Sequence, residues 1–152
     1  MDTYFPNLQL ADWVAVVCAN LFNLLCLVMF WLRAQKKAAI GNRFGWAAVA
    51  LALPLAGVTV YNAVQQRGLW WVVLLLPVII YALAEWVLDG LLKLNFRESR
   101  WLGLYLLLFY LGQMALIGYA FLTGKGYGLI TLATYFASLA VTAYSYRRVG
   151  HG

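Results

Sequence analysis

The chain of 152 residues has a single histidine, His151. That scarcity disfavours bis-histidine haem ligation, a histidine-rich metal site and a Ser-His-Asp triad. Cysteine is almost as sparse: Cys18 and Cys26 are the only two, and there is no CxxC pair. Their spacing along a helix amounts to roughly 12 Å of rise, too far for a disulfide within the chain. No glycine-rich phosphate cradle is present either. GKGYG, residues 124–128, leads into an apolar run and not into the helix of a nucleotide fold. No cofactor and no metal is therefore expected.

Charge is the next shortage. Only 11% of the residues are charged and 65% are hydrophobic, where a soluble domain runs near a quarter and a half. No globular core of this length can bury so much apolar surface, so the solvent for most of it must be a bilayer. The formal net charge of +6 is then not a nucleic-acid signal. Basic residues confined to short loops between apolar runs set orientation and meet headgroups. A secretory leader is not expected in MDTYFPNLQLADW, which lacks a basic n-region. Its basic flank, Arg33, Lys36 and Lys37, follows the apolar run, so that run reads as a retained span.

What is present is a series of apolar runs, each near the 20 residues that a helix needs to cross a bilayer. They cover about 10–32, 44–64, 69–88, 101–122 and 128–146. The reading is an all-α polytopic membrane protein, a five-transmembrane-helix bundle forming a single domain over 1–152. None of the connections is long enough for a soluble domain. Arg33, Lys36, Lys37, Arg43, Lys93, Arg97, Arg100, Arg147 and Arg148 fall on one side, and only Arg67 and Lys125 on the other. By the positive-inside rule the N-terminus is outside and the C-terminus cytoplasmic. All seven tryptophans lie close to span ends, as an interfacial belt requires. Pro54 and Pro77 fall inside spans, where each is expected to kink its helix.

Small residues mark helix seams in lipid. Ala11, Ala15 and Ala19 share a face of the first span that continues to Asn23 and Cys26. Gly45, Ala48, Ala52 and Ala56 do so on the second. These two spans are expected to be the central helices, unless one seam joins two copies of the chain. Thr131, Thr134, Ser138 and Thr142 form a hydroxyl stripe on the fifth span, either bonding back to their own helix or lining a polar path. Tyrosines crowd the last two spans, where they suit helix contacts or an apolar ligand.

The stretch AEWVLDG, residues 84–90, carries the sharpest question. Asp89 reaches the headgroup boundary, with Lys93 as its i+4 partner. Glu85 lies deeper, roughly 24 Å from the outer end of its span. A carboxylate there costs a few kcal/mol in hydrocarbon, so it must face the bundle, be protonated or reach a cation. Tyr81, one turn deeper, is placed to hydrogen-bond it. Glu85 is then either half of a buried pair locking the helix to a loop, or the charged group of a ligand or proton site open to the cytoplasm. Asn23, Gln113 and Ser138 fall at compatible depths, whereas Asn62, Gln65 and Gln66 sit on the outer side. The loop DGLLKLNFRESRW reads as an interfacial segment whose Lys93, Arg97 and Arg100 meet lipid headgroups.

These residues lead to a small integral membrane protein with a polar site in the cytoplasmic half of the bundle, for transport or binding of a small or lipid-like ligand. Glu85, Asp89, Tyr81, Asn23, Gln113 and Ser138 are its candidate residues. Two other readings stand beside it: an accessory or structural subunit of a larger membrane complex, and a lipid-acting enzyme with Glu85 as acid or base. The expected partners are the lipid bilayer and either further copies of the chain or a larger membrane complex, with no nucleic acid. The setting is the cytoplasmic membrane of a bacterium or archaeon.

Overall fold

A computed structural model describes residues 8–92 and 102–149, and among them there are helices and turns but no strand. The elements are α1 (Leu10–Ala34), α2 (Ala38–Ala50), α3 (Ala52–Val64), α4 (Trp70–Val73), α5 (Leu76–Glu85), a π-helical segment (Trp86–Leu91), α6 (Leu102–Thr123) and α7 (Lys125–Val149). They make five helices long and apolar enough to cross a membrane: α1, α2 with α3, α4 with α5 and the π segment, α6, and α7.

The prolines act at helix starts. Pro54 is the third residue of α3 and Pro77 the second of α5. A first-turn position suits proline because its missing N–H would have no intrahelical partner there. Ahead of each, the chain tightens into a three-residue hydrogen bond. Leu51 N–H bonds the Ala48 carbonyl and Leu75 N–H the Val72 carbonyl, both at 3.2 Å. Each proline thus divides its span into two successive helices.

Two other helix ends close through left-handed residues. Lys36 (φ 61°) follows α1 and Gln66 (φ 51°) follows α3. After α1, Lys36 N–H bonds the Arg33 carbonyl and Lys37 N–H the Leu32 carbonyl. After α3, Gln66 N–H bonds the Ala63 carbonyl and Arg67 N–H the Asn62 carbonyl. Both are Schellman motifs, with a long polar side chain where glycine is usual. The second one fixes Arg67 directly beyond the end of α3.

Helix α1 packs against α2, α3, α6 and α7, and α6 packs against α1, α5 and α7. The centre of the bundle is therefore α1 with α6, not the first two spans. On α1 the small-residue face is indeed enclosed, through Ala15, Ala19 and Cys26. On the second span Ala48 is buried while Ala52 and Ala56 are only half-buried. Close approach explains part of this arrangement. A Cβ on Gly112 would lie 3.2 Å from the Val78 Cα, and one on Gly41 would lie 3.0 Å from the Met29 carbonyl oxygen. Both helix pairs meet backbone to backbone, as small residues permit in membranes.

The hydroxyl stripe of α7 divides in two. Toward one end it joins α7 to α1. Asn20 Nδ2 donates to Thr131 Oγ1 at 3.0 Å, and Thr134 Oγ1 donates to Asn20 Oδ1 at 3.0 Å. Asn23 Nδ2 donates to the Thr131 carbonyl at 3.2 Å and to Thr134 Oγ1 at 3.1 Å. Toward the other end, Thr142 Oγ1 bonds back to the Ser138 carbonyl at 2.8 Å.

Candidate functional site

All five spans contribute to one cavity of about 650 Å³. It lies between the halves of α1, α2, α6 and α7 that are nearest to the π segment. The floor is apolar: Phe22, Cys26 and Phe109. Tyr81, Glu85 and Tyr105 form the middle, and Arg33, Asn42, Asp89 and Arg147 stand toward the helix ends. The volume is in the range of small-molecule sites, and so is the mixture of aromatic walls with a few polar groups.

Helical spacing places Tyr81 and Glu85 on one face of α5. Glu85 is the last residue of α5 and only 9% exposed. Tyr105 on α6 donates its hydroxyl proton to Glu85 Oε2 at 2.5 Å, and the Tyr81 and Tyr105 hydroxyls are 2.9 Å apart. Rings close the interior side. The Tyr81 ring lies 5.1 Å from Phe109 and 6.3 Å from Phe22, the latter edge to face. Those contacts hold the phenol in place, so the hydrogen-bonded chain is built on packed side chains.

The π segment begins immediately after Glu85. Its widened turn is seen where Leu92 N–H bonds the Val87 carbonyl, five residues back, at 2.9 Å. Such turns recur at functional sites because they alter which side chains share a face. Here Asp89 is half-buried and lines the same cavity as Glu85. The expected partner of Asp89, Lys93, lies outside the described residues, as do Arg97 and Arg100 with their expected headgroup contacts.

Of the residues expected at the site, the structure brings together Glu85, Asp89 and Tyr81 on the cavity wall. Asn23, Gln113 and Ser138 are buried but do not line it. Asn23 is turned to the α1–α7 seam, where Thr131 and Thr134 occupy its amide. From the hydroxyl stripe, Thr142 reaches the cavity. Tyr105 carries the strongest bond to Glu85, yet it stood in the sequence only as one of many tyrosines. Its signal was the match in depth with Glu85 on a neighbouring antiparallel span.

A second polar cluster closes the opposite end of the bundle, and sequence reasoning missed it. Asp12, 2% exposed in the first turn of α1, accepts from Arg67 Nη1 at 2.6 Å and Nη2 at 3.2 Å. It also accepts from the Tyr119 hydroxyl at 3.1 Å and from the Gln9 N–H at 3.0 Å. Arg67 Nη1 donates to Asn62 Oδ1 at 3.0 Å, and its guanidinium lies 3.8 Å from the Trp71 ring centroid. Asn62 Nδ2 donates to the Tyr119 hydroxyl at 3.1 Å and to the Trp71 carbonyl at 3.0 Å. The cluster ties α1, α3, α4 and α6 together. Its members meet one another's hydrogen-bonding needs, which is the condition for burying charge. The sequence signal was an aspartate in the first turn of an apolar helix, where a helix dipole also favours it.

Among the described residues, no three His, Cys, Asp or Glu side chains gather where they could hold a metal ion. Compared with family models, curated proteins and solved structures, the chain matches none.

Proposed function

We propose that this chain is an integral membrane protein that binds or transports a small amphipathic, lipid-like ligand in the cavity around Glu85. One observation carries the reading: a buried carboxylate, hydrogen-bonded by Tyr105, lines an aromatic cavity of about 650 Å³. A carboxylate kept in a hydrocarbon setting is expensive and is a functional hypothesis by default. The graded wall, apolar at the floor and charged toward the helix ends, suits a molecule with one end of each kind. Basic-residue counts orient the bundle with its N-terminus outside and its C-terminus cytoplasmic, so the cavity faces the cytoplasm. The membrane is the cytoplasmic membrane of a bacterium or archaeon. Self-association is compatible with this reading. Helix α7 exposes Ala133, Ala137 and Ala140, a small-residue spacing along which membrane helices pack.

Native mass spectrometry of the protein in mild detergent, wild type against Glu85→Ala, tests the proposal. A specific bound mass in the wild type that is lost in the variant is the expected result. Bare protein in both, equally stable, would refute it. The same spectra report the number of copies.

A further inference from the structure

We propose that the occupant of the Glu85 cavity is an amphipathic organic cation: a protonated amine or quaternary ammonium held at Glu85 among aromatic rings, its apolar body toward Phe22 and Phe109. This inference rests on the reading of the cavity as a ligand site. Three features of the wall lead to it.

The first is the order of protons. A tyrosine hydroxyl has one proton to give, and that of Tyr105 goes to Glu85 Oε2. At its contact with Tyr81 the Tyr105 oxygen must then accept, so Tyr81 donates. Both protons point along the chain to the carboxyl group. That arrangement serves a carboxylate, since hydrogen bonds to an ionised acceptor are the stronger kind. Toward a ligand, an ionised carboxylate offers acceptors only. The complement is a donor, best a charged one.

The second feature is the aromatic lining. Phe22, Phe30, Tyr81, Tyr105, Phe109 and Tyr110 all border the space. Ring faces carry negative potential and hold alkylammonium groups, more strongly where water is excluded. An anion of the same shape would meet those faces at a disadvantage.

The third is the distribution of the cavity's own charges. Asp89 and Glu85 lie on one wall, the first nearer the helix ends and the second deeper, a run of acid along a route inward. The two arginines stand elsewhere. Arg33 is next to last in α1, bonded to Asn42 Oδ1 at 3.1 Å and lying 5.6 Å from the Phe30 ring centroid. Arg147, in the last turn of α7, is exposed. Both are at the level where helix ends meet lipid phosphate, and the cation's seat is deeper than either.

The test uses the full chain in nanodiscs of zwitterionic lipid and two water-soluble probes of similar shape and opposite charge. These are (4-phenylbutyl)trimethylammonium and 5-phenylpentanoate, with binding followed by equilibrium dialysis. The ammonium probe is expected to bind saturably and at least tenfold tighter than the carboxylate. Glu85→Gln should weaken it at least tenfold while the thermal midpoint stays near that of the wild type. Should Glu85→Gln fail to fold, Asp89→Asn is expected to weaken the ammonium probe severalfold, and Arg33→Gln to leave its affinity unchanged or raised. Tighter binding of the carboxylate probe, or wild-type ammonium affinity in both acid variants, would overturn the cation assignment and leave the cavity as a ligand site of another class. If neither probe binds saturably and native mass spectrometry finds no retained mass, the underlying site reading fails as well.

Discussion

Removing the Asp12 carboxylate leaves the Arg67 guanidinium largely buried at a helix end without its anion. The side chains are 2% and 13% exposed respectively. Breaking a buried pair by deleting one partner costs about 3–5 kcal/mol, against about 0–1 kcal/mol for a surface pair. Arg67 retains Asn62 Oδ1 at 3.0 Å and the Trp71 face at 3.8 Å in the variant, and a desolvated cation–π contact contributes about 2 kcal/mol. Those retained partners put Asp12→Ala near the lower end, about 3 kcal/mol of destabilisation. Arg67→Met removes the charge and keeps most of the stem, so the double variant should cost clearly less than the two single changes together. The coupling energy expected is about 2 kcal/mol, within the range for residues in direct contact. Reversible unfolding in mixed micelles across the four proteins of the cycle measures it. Raising the salt to about 0.5 M should leave it nearly unchanged, because buried pairs are weakly screened. A coupling below about 0.5 kcal/mol that disappears with salt is the signature of a solvated surface contact and would refute the reasoning.

Three other outcomes follow from local geometry. Gly112→Ala should destabilise by about 1–3 kcal/mol, because its Cβ would press on the Val78 backbone, whereas Gly57→Ala, with nothing within 4 Å, should be neutral or slightly stabilising by the same unfolding assay. Lys36→Gly relieves a left-handed residue and should stabilise by about 1 kcal/mol, read as a rise in thermal midpoint. Asn20→Leu and Thr134→Val each remove a bond between α1 and α7 and should cost about 0.6 kcal/mol, up to about 1.7 kcal/mol. A double-mutant cycle on that pair reports whether the bonds act together.

Five apolar helices were legible because run length against bilayer thickness is a strong constraint. How each helix is rotated was not. In a membrane, lipid-facing and core-facing surfaces are both apolar, so the pattern that separates inside from outside in a soluble helix is faint. Asn23 illustrates this: its depth was readable, but its direction, toward Thr131 and Thr134 on α7 and away from the cavity, was not. The same loss hid Gly112, whose role depends on Val78 lying opposite. Glu85 stood out because a carboxylate amid hydrocarbon needs a reason wherever it points. Arg67 was counted as a topology marker, since charge rules weigh loops separately. Its pairing with Asp12, 55 positions away, comes from the three-dimensional closure of the bundle.

A π turn is an α-helix that carries one residue more than its register needs. Between Trp86 and Leu91 the chain therefore holds a counted surplus, and the cavity depends on that count. Deleting Val87 would let the stretch relax to ordinary winding. Everything beyond it would turn by about 100° relative to Glu85, carrying the carboxylate of Asp89 off the shared wall. A conservative replacement at the same position would keep the count and the wall. At this point in the chain, sequence length is itself a structural specification, and the loss of a single codon would do more than most changes of residue type.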